Sequence, residues 1–281
     1  MNSKHKLAIA YRIYPKVSKV PPVYSDDKYK LSELCLSSFI RATSKINCKV
    51  WVILDACPDE YRELFSKNLK CEYELIDMPG VGNPGTFGKQ MEILLNQTYS
   101  ENIYFAEDDY FYLENAFEEM LEFFESPEKP DFVTPYDHLD YYNLDIHNLP
   151  NKKTIDHKNT NWRDEGATCM TFLTSKRVLK ETFDVFHSYT KKNYDASLWL
   201  TLTKKRILNP LLYPKYLLSD FHLFKIFAKA WVYTPMNVAL GKKRSLYAPV
   251  PSLSTHMDSL YLAPGIDWYS IFENEKKSLF V

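Results

Sequence analysis

Residues 102–112, NIYFAEDDYFY, limit the fold more than any other stretch of the chain. The apolar run Ile103-Tyr104-Phe105-Ala106 reads as a buried strand. It ends on three consecutive carboxylates, Glu107, Asp108 and Asp109, and aromatics resume at Tyr110. Three anions at one strand exit repel each other and oppose folding unless positive charge meets them. A divalent cation is the simplest counter-charge, because hard cations take carboxylate oxygens. In open α/β sheets, ligands bind outside the carboxyl ends of the strands. The same acids also suit a solvated turn that starts a helix over residues 113–125. The stretch alone leaves both readings open.

The preceding residues supply a sheet for that strand to join. Residues 6–14 alternate as a first strand, and Leu31, Leu34, Cys35, Ser38, Phe39 and Ala42 fall at helical spacing. Residues 49–54, KVWVIL, predict a second strand ending at Asp55; residues 59–68 predict a short helix and 72–78 a third strand. This β-α-β-α-β order is the signature of a parallel sheet with helices on its faces. Four of the seven glycines then crowd into residues 80–88. Glycines permit close backbone approach, and a helix entry capped by Thr86, with Lys89 in its first turn, suits an anion. The spacing matches neither a P-loop nor a dinucleotide-binding fingerprint, and a plain surface loop is the competing reading.

After the acidic strand, the pattern predicts a helix over 113–125, a short strand over 131–136, and a long polar loop over 137–164. Loops of that length inside a domain are usually functional. A strand over 167–173 and helices over 176–186, 193–205 and 217–230 follow, then a strand over 231–234. Residues 239–268 carry Lys242, Lys243 and Arg244, then Pro249, Pro251 and His256. Residues 204–229 mix Leu, Phe and Tyr with Lys and Arg; a packed helix pair and a peripheral membrane-surface contact both fit.

Charge narrows the partners. Lys plus Arg total 35 and Asp plus Glu 36, which gives no electrostatic reason to expect nucleic acid. Five cysteines without a CxxC pair fit a reducing compartment better than a disulfide framework. The first residues carry too short an apolar run for a signal peptide, so a cytoplasmic protein is expected.

In this order the elements resemble the GT-A glycosyltransferases. The triplet Glu107-Asp108-Asp109 resembles their DxD motif. Asp195 at a helix start, and His256 after Pro251-Ser252-Leu253, are similar to the inverting, family-2-like members. The resemblance implies one α/β domain over residues 1–281 with a mixed, mostly parallel central sheet flanked by helices. Residues 1–112 would form a nucleotide-binding half, 113–268 an acceptor half with a C-terminal metal or lid loop, and 269–281 a tail. It implies transfer of a sugar from a UDP-, GDP- or dTDP-sugar to a glycan or lipid-linked glycan, with inversion. Arg12 and Asp55 would contact the nucleoside, and Gly85 and Lys89 would flank the nucleotide. Asp108 would reach the ribose or the metal. Asp109 would hold Mn²⁺ or Mg²⁺, His256 would complete the metal shell or touch a phosphate, and Asp195 would be the catalytic base.

Read for their chemistry alone, Lys242, Lys243 and Arg244 could close over the phosphates as a lid, or form a solvated charge run. Asp164 and Glu165 are the second-choice carboxylates. The rival readings are a nucleotidyltransferase, a metal-dependent hydrolase, and a catalytically silent protein that binds carbohydrate or nucleotide sugar. A nucleotidyltransferase would normally place glycines right after the first strand, and residues 11–18 have none.

Overall fold

The computed structural model describes residues 6–17, 19–149 and 151–279. Its first half follows the sequence pattern closely. β1 (Lys6–Ile13), α1 (Lys28–Thr43), β2 (Asn47–Asp55), α2 (Asp59–Asn68) and β3 (Glu72–Met78) alternate as expected. α3 (Gly82–Asn96) leads to β4 (Asn102–Glu107), and a turn at Asp108-Asp109 leads to β5 (Tyr110–Tyr112) and α4 (Ala116–Phe124).

The second half departs more. β6 (Phe132–Val133) is brief. The expected long loop over 137–164 instead contains α5 (Asp140–Asn143) and a hairpin of β7 (Thr154–His157) and β8 (Thr160–Asp164). This hairpin extends the sheet edge, and Trp162 stacks flat on Phe123 of α4 with ring centroids 4.5 Å apart. β9 (Phe172–Ser175) lies a few residues later than expected. The helix expected over 176–186 breaks at Thr182 into α6 (Lys176–Glu181) and α7 (Phe183–His187). α8 (Asp195–Thr203) matches its prediction.

The helix expected over 217–230 is two helices, α9 (Leu212–Ser219) and α10 (Phe221–Tyr233). They join at Asp220, which caps α10 through the backbone amides of His222 and Leu223. The strand expected over 231–234 is the last turn of α10: a short apolar run fits either period until its neighbours decide. α11 (Pro235–Leu240), β10 (Leu246–Val250), β11 (Ser254–His256) and α12 (Trp268–Leu279) complete the chain. The expected tail is therefore a packed helix, seated through Trp268 and Phe272 against Phe111.

Among the described residues, the main sheet has nine strands in the order β3-β2-β1-β4-β9-β6-β10-β8-β7. Seven run one way and only β8 and β9 oppose them, so the sheet is mixed and mostly parallel. Strand alternation sorts β1 between two cores. Leu7, Ile9, Tyr11 and Ile13 face α1, α2 and α4, while Ala8 and Ala10 face α3 and α6 to α8. Small alanines let α3 approach closely. The buried Gln90 amide then donates to the carbonyls of Ala10 (2.7 Å) and Ala106 (2.9 Å), tying β1 to β4. A third core under α8 to α11 gathers Ile146, Leu200, Ile207 and Phe227.

Candidate active site

β1 lies between β2 and β4, so successive connections leave it in opposite directions. A crevice at the carboxyl ends of strands is expected at such a reversal. A cleft of about 400 Å³ occupies that place, with Arg12, Lys16, Lys28, Asp55, Gly80, Asn83, Glu107, Asp108 and Asp109 among its walls.

The three carboxylates of the sequence triplet are met by three different basic side chains, Arg12, Lys28 and His256. Arg12 pairs with Glu107 across the β1–β4 register. Its other nitrogen donates to Asn83 O (2.9 Å) and Thr86 Oγ1 (3.2 Å), and Glu107 also accepts from Thr171 (2.9 Å). Burial works against the Arg12 charge, but Glu107 beside it lifts its pKa above the ordinary value. Lys28, at the start of α1, places Nζ 2.6 Å from Asp108 Oδ2. Burial again opposes the ammonium, and Asp108 followed by Asp109 holds it protonated.

His256 arrives from 147 residues away on the β5–β11 ribbon, where it pairs with Tyr110. Its Nε2 lies 3.1 Å from Asp109 Oδ2. Against the effect of burial, His256 draws the Asp109 pKa down and Asp109 raises that of His256.

The second carboxylate oxygen, Asp109 Oδ1, is buried with no hydrogen-bond partner among the described residues. An orphaned buried acceptor costs about 1–3 kcal/mol unless an ion or water meets it. Ligand atoms about 3 Å apart can also share one metal, since each sits about 2.1 Å from it. No group of three or more His, Cys, Asp or Glu among the described residues is arranged to hold a metal. The residues present would therefore offer a cation two protein ligands, Asp109 and His256. They do not form a preformed protein cage.

Asp55 works differently from the sequence expectation. Its Oδ1 accepts from the amides of Gly80 (2.9 Å) and Val81 (2.8 Å), and its Oδ2 from Gly82 (2.8 Å). The carboxylate thus caps α3 from β2, and the left-handed φ values of Gly80 (91°) and Gly82 (70°) let those amides converge. A helix end so occupied is not a free anion site. Thr86 is not the cap either; it lies inside α3 and donates to Gly82 O (3.0 Å).

Four further residues singled out in the sequence lie away from the cleft walls. Lys89 sits two turns into α3 rather than in its first turn, and pairs with Glu92 at 2.8 Å. Gly85 lies inside α3, where a Cβ would collide with the Val81 side chain, and lines a different groove. Arg244 is buried, bonded to Asp131 (3.0 Å) and Glu181 (2.7 Å). Lys242 is exposed just after α11. Asp164 and Glu165 are likewise committed, to Lys205 and to Lys152 with Arg163.

Asp195 begins α8 and lines a smaller pocket of about 100 Å³ with His138, Asp140, Tyr141, His147 and Cys169. Its carboxylate is reached by solvent but walled by protein, which raises its pKa, and nearby Glu107 adds to the rise. Burial pushes His138 down to about 3 and His147 to about 4, so both are neutral imidazoles at ordinary pH. Tyr136 and Tyr110 bridge this pocket to His256, with ring centroids 5.0 Å (His138–Tyr136), 5.7 Å and 5.3 Å (Tyr110–His256) apart.

The sequence reading missed Lys28, Lys16 and the Arg12–Glu107 pair. A lysine eighty residues from its partner carries no local signal. The arginine at the end of β1 and the glutamate at the end of β4 do share a positional logic.

No protein-family profile matches the sequence, and no curated protein does. Among solved structures, the chain is similar to S. aureus TarS residues 1–349 at 13% identity, over 83% of this chain and 74% of that one, with a TM-score of 0.42. It is similar to 4-diphosphocytidyl-2C-methyl-D-erythritol synthase from Anaerococcus prevotii at 12% identity, over 72% and 85%, with a TM-score of 0.42. A protein described as a nucleotide-diphospho-sugar transferase from Desulfovibrio desulfuricans G20 aligns at 12% identity over 82% and 96%, with a TM-score of 0.45. Likeness at this level carries no argument about activity; the fold class stands on the strand order itself.

Proposed function

We propose that this chain is a glycosyltransferase that takes a sugar from a nucleoside-diphosphate donor and passes it to a hydroxyl acceptor. One observation carries the reading: the cleft at the β1–β4 reversal gathers Asp108, Asp109, Lys28 and Arg12, with His256 against Asp109. A diphosphate needs positive charge, and a carboxylate–imidazole pair with an unmet oxygen needs a cation; each would supply what the other lacks.

In this reading Asp109 and His256 hold Mn²⁺ or Mg²⁺, which when bound neutralises charge on the leaving nucleoside diphosphate. Lys28 and Lys16 add fixed charge beside it; Lys16 is exposed on the cleft wall without an ion-pair partner among the described residues. Arg12 and Asp55 act as positioning residues, the first fixing Glu107 and Asn83, the second fixing the turn at Gly80–Gly82. The acceptor enters over the pocket at Asp195, where a carboxylate made more basic by its surroundings takes the hydroxyl proton. Direct attack by that oxygen on the anomeric carbon, with the diphosphate leaving, inverts the centre.

The test is a screen of UDP-, GDP- and dTDP-sugars with Mn²⁺, reading free nucleoside diphosphate released. Release from one donor family, lost in Asp195→Asn, supports the proposal. No release from any donor, with binding intact, overturns the enzymatic part and leaves a nucleotide-sugar-binding protein.

A further inference from the structure

We infer that the helices α9 to α11 form a docking face for an anionic lipid bilayer. This goes beyond the proposed reaction and does not depend on it.

Among the described residues, nine of the fifteen large exposed apolar side chains fall between positions 208 and 240, so the exposure is concentrated rather than scattered. α10 is the clearest case. Its inner face, Leu223, Ile226, Phe227 and Ala230, is buried in the third core. Its outer stripe, Phe221, Lys225, Ala228 and Val232, follows the i, i+4, i+7, i+11 spacing of a single helical face. Val232 there is 75% exposed. A helix apolar on both faces belongs inside a protein or against a lipid phase, yet only one face of α10 is covered.

The flanking helices continue the pattern. Leu218 at the end of α9 is 88% exposed and Leu240 at the end of α11 is 77% exposed, with Met236 between Val232 and Leu240. α10 is about 20 Å long, so the exposed side chains at and beyond its two ends are spread along the surface rather than gathered at a point.

Charge identifies the occupant. Residues 204–243 carry eight Lys or Arg and a single acid, Asp220, whereas the whole chain has a net charge of −1; Lys205, Arg206 and Lys215 pair with Asp164 and Asp145 from outside the segment, and Lys204 is held by the carbonyls of Asn237 and Val238. The rest of the molecule is therefore acidic, and this segment stands out against it. Lys225, Lys242 and Lys243 are exposed with no acidic partner among the described residues. The Lys225 ammonium lies 4.8 Å over the exposed Phe221 ring, so positive charge and apolar surface meet on one face of α10. Apolar side chains set among lysines, on a helix lying in the surface plane, match the chemistry of an anionic bilayer interface. No helix among the described residues is long and apolar enough to cross a membrane, so the contact is peripheral.

The face also sits behind the proposed acceptor pocket. α10 packs on α8, with Ser197 donating to Ile226 O at 2.8 Å, and α8 begins at Asp195. A bilayer held here would lie on the acceptor side of the molecule.

Vesicle flotation tests the inference on the full chain. Phosphatidylcholine vesicles, with and without phosphatidylglycerol, are compared at low and high salt. The wild type should float with the phosphatidylglycerol vesicles at least tenfold more than with phosphatidylcholine alone, and lose that binding at high salt. Leu218→Asp/Val232→Asp and, separately, Lys225→Glu/Lys242→Glu/Lys243→Glu should each cut flotation at least tenfold. All five sites are exposed, and an unchanged thermal midpoint shows that each variant folds. Should a variant not fold, the lipid and salt dependence of the unaltered chain decides. Absence of flotation, or flotation equal in wild type and variants, overturns the inference. So does a wild-type dimer, by light scattering, that Leu218→Asp/Val232→Asp makes monomeric; that face would then belong to a second copy.

Discussion

Replacing Asp55 with alanine should destabilise the ligand-free protein. The carboxylate is 1% exposed and receives three backbone amides at 2.8–2.9 Å. Hydrogen bonds to a charged acceptor contribute about 1.5–3 kcal/mol each, so a naive sum would be large. Gly80 and Val81 are exposed, however, and water can take over their amides; only Gly82 is half-buried. Losing a helix cap costs about 0.5–2 kcal/mol. The expected loss is therefore about 2–3 kcal/mol, a little above a simple cap because β2 and α3 also come apart there. For a chain of this size that is a fall of roughly 5 °C in Tm.

Asp55→Asn keeps Oδ1 for two amides and turns a donor toward the third, so about half the loss is expected. Scanning calorimetry without any ligand is the assay. If Asp55→Ala melts within about 1 °C of wild type, the carboxylate does not hold the turn and its role lies with a ligand instead.

Arg12→Met leaves Glu107 with Thr171 alone and should cost about 3 kcal/mol, the low end for an unpaired buried charge, because Glu107 is partly open. Adding Glu107→Gln should recover part of that loss in urea titrations, and a strictly additive double variant would deny the coupling. Asp195→Asn should lower turnover about 10²–10⁴-fold while leaving donor affinity intact, and near-normal turnover would remove it as the base. The raised pKa of Asp195 also fixes the acid limb of the pH profile. The basic carboxylate is lost as pH falls through that value, so at saturating Mn²⁺ kcat/KM should begin to drop above the ordinary aspartate range of about 3.9, and that step should be missing in Asp195→Asn.

The parts of the fold legible in the sequence are those set by local period. β1, β2, β3, α2 and α8 follow from alternation or helical spacing, and the acidic triplet does mark a strand exit at the sheet's reversal. The β7–β8 hairpin was hidden because an edge hairpin with one wet face reads as polar. α12 was hidden because its anchors, Trp268 and Phe272, acquire a partner only when Phe111 is brought to them. The end of α10 was misread as strand since three apolar residues fit both periods.

At the site, adjacency in sequence misled. Lys242, Arg244, Lys89 and Gly85 lie beside suggestive neighbours, yet none lines the cleft. Lys28 does line it, because a helix start 80 residues earlier in the chain is folded against Asp108. His256 needed a second sheet to reach Asp109. Pairings of this kind depend on topology, which local residue patterns do not encode.

The central claim is that Asp109 and His256 hold a divalent cation together with a diphosphate. Isothermal titration of UDP and GDP into wild type, Asp109→Asn and His256→Ala, each with and without Mn²⁺, tests it most directly. One nucleoside diphosphate should bind wild type at least tenfold more tightly with Mn²⁺, and both variants should lose that gain while still folding. Binding that ignores Mn²⁺ in wild type, or an Mn²⁺ gain that survives in Asp109→Asn, would contradict it.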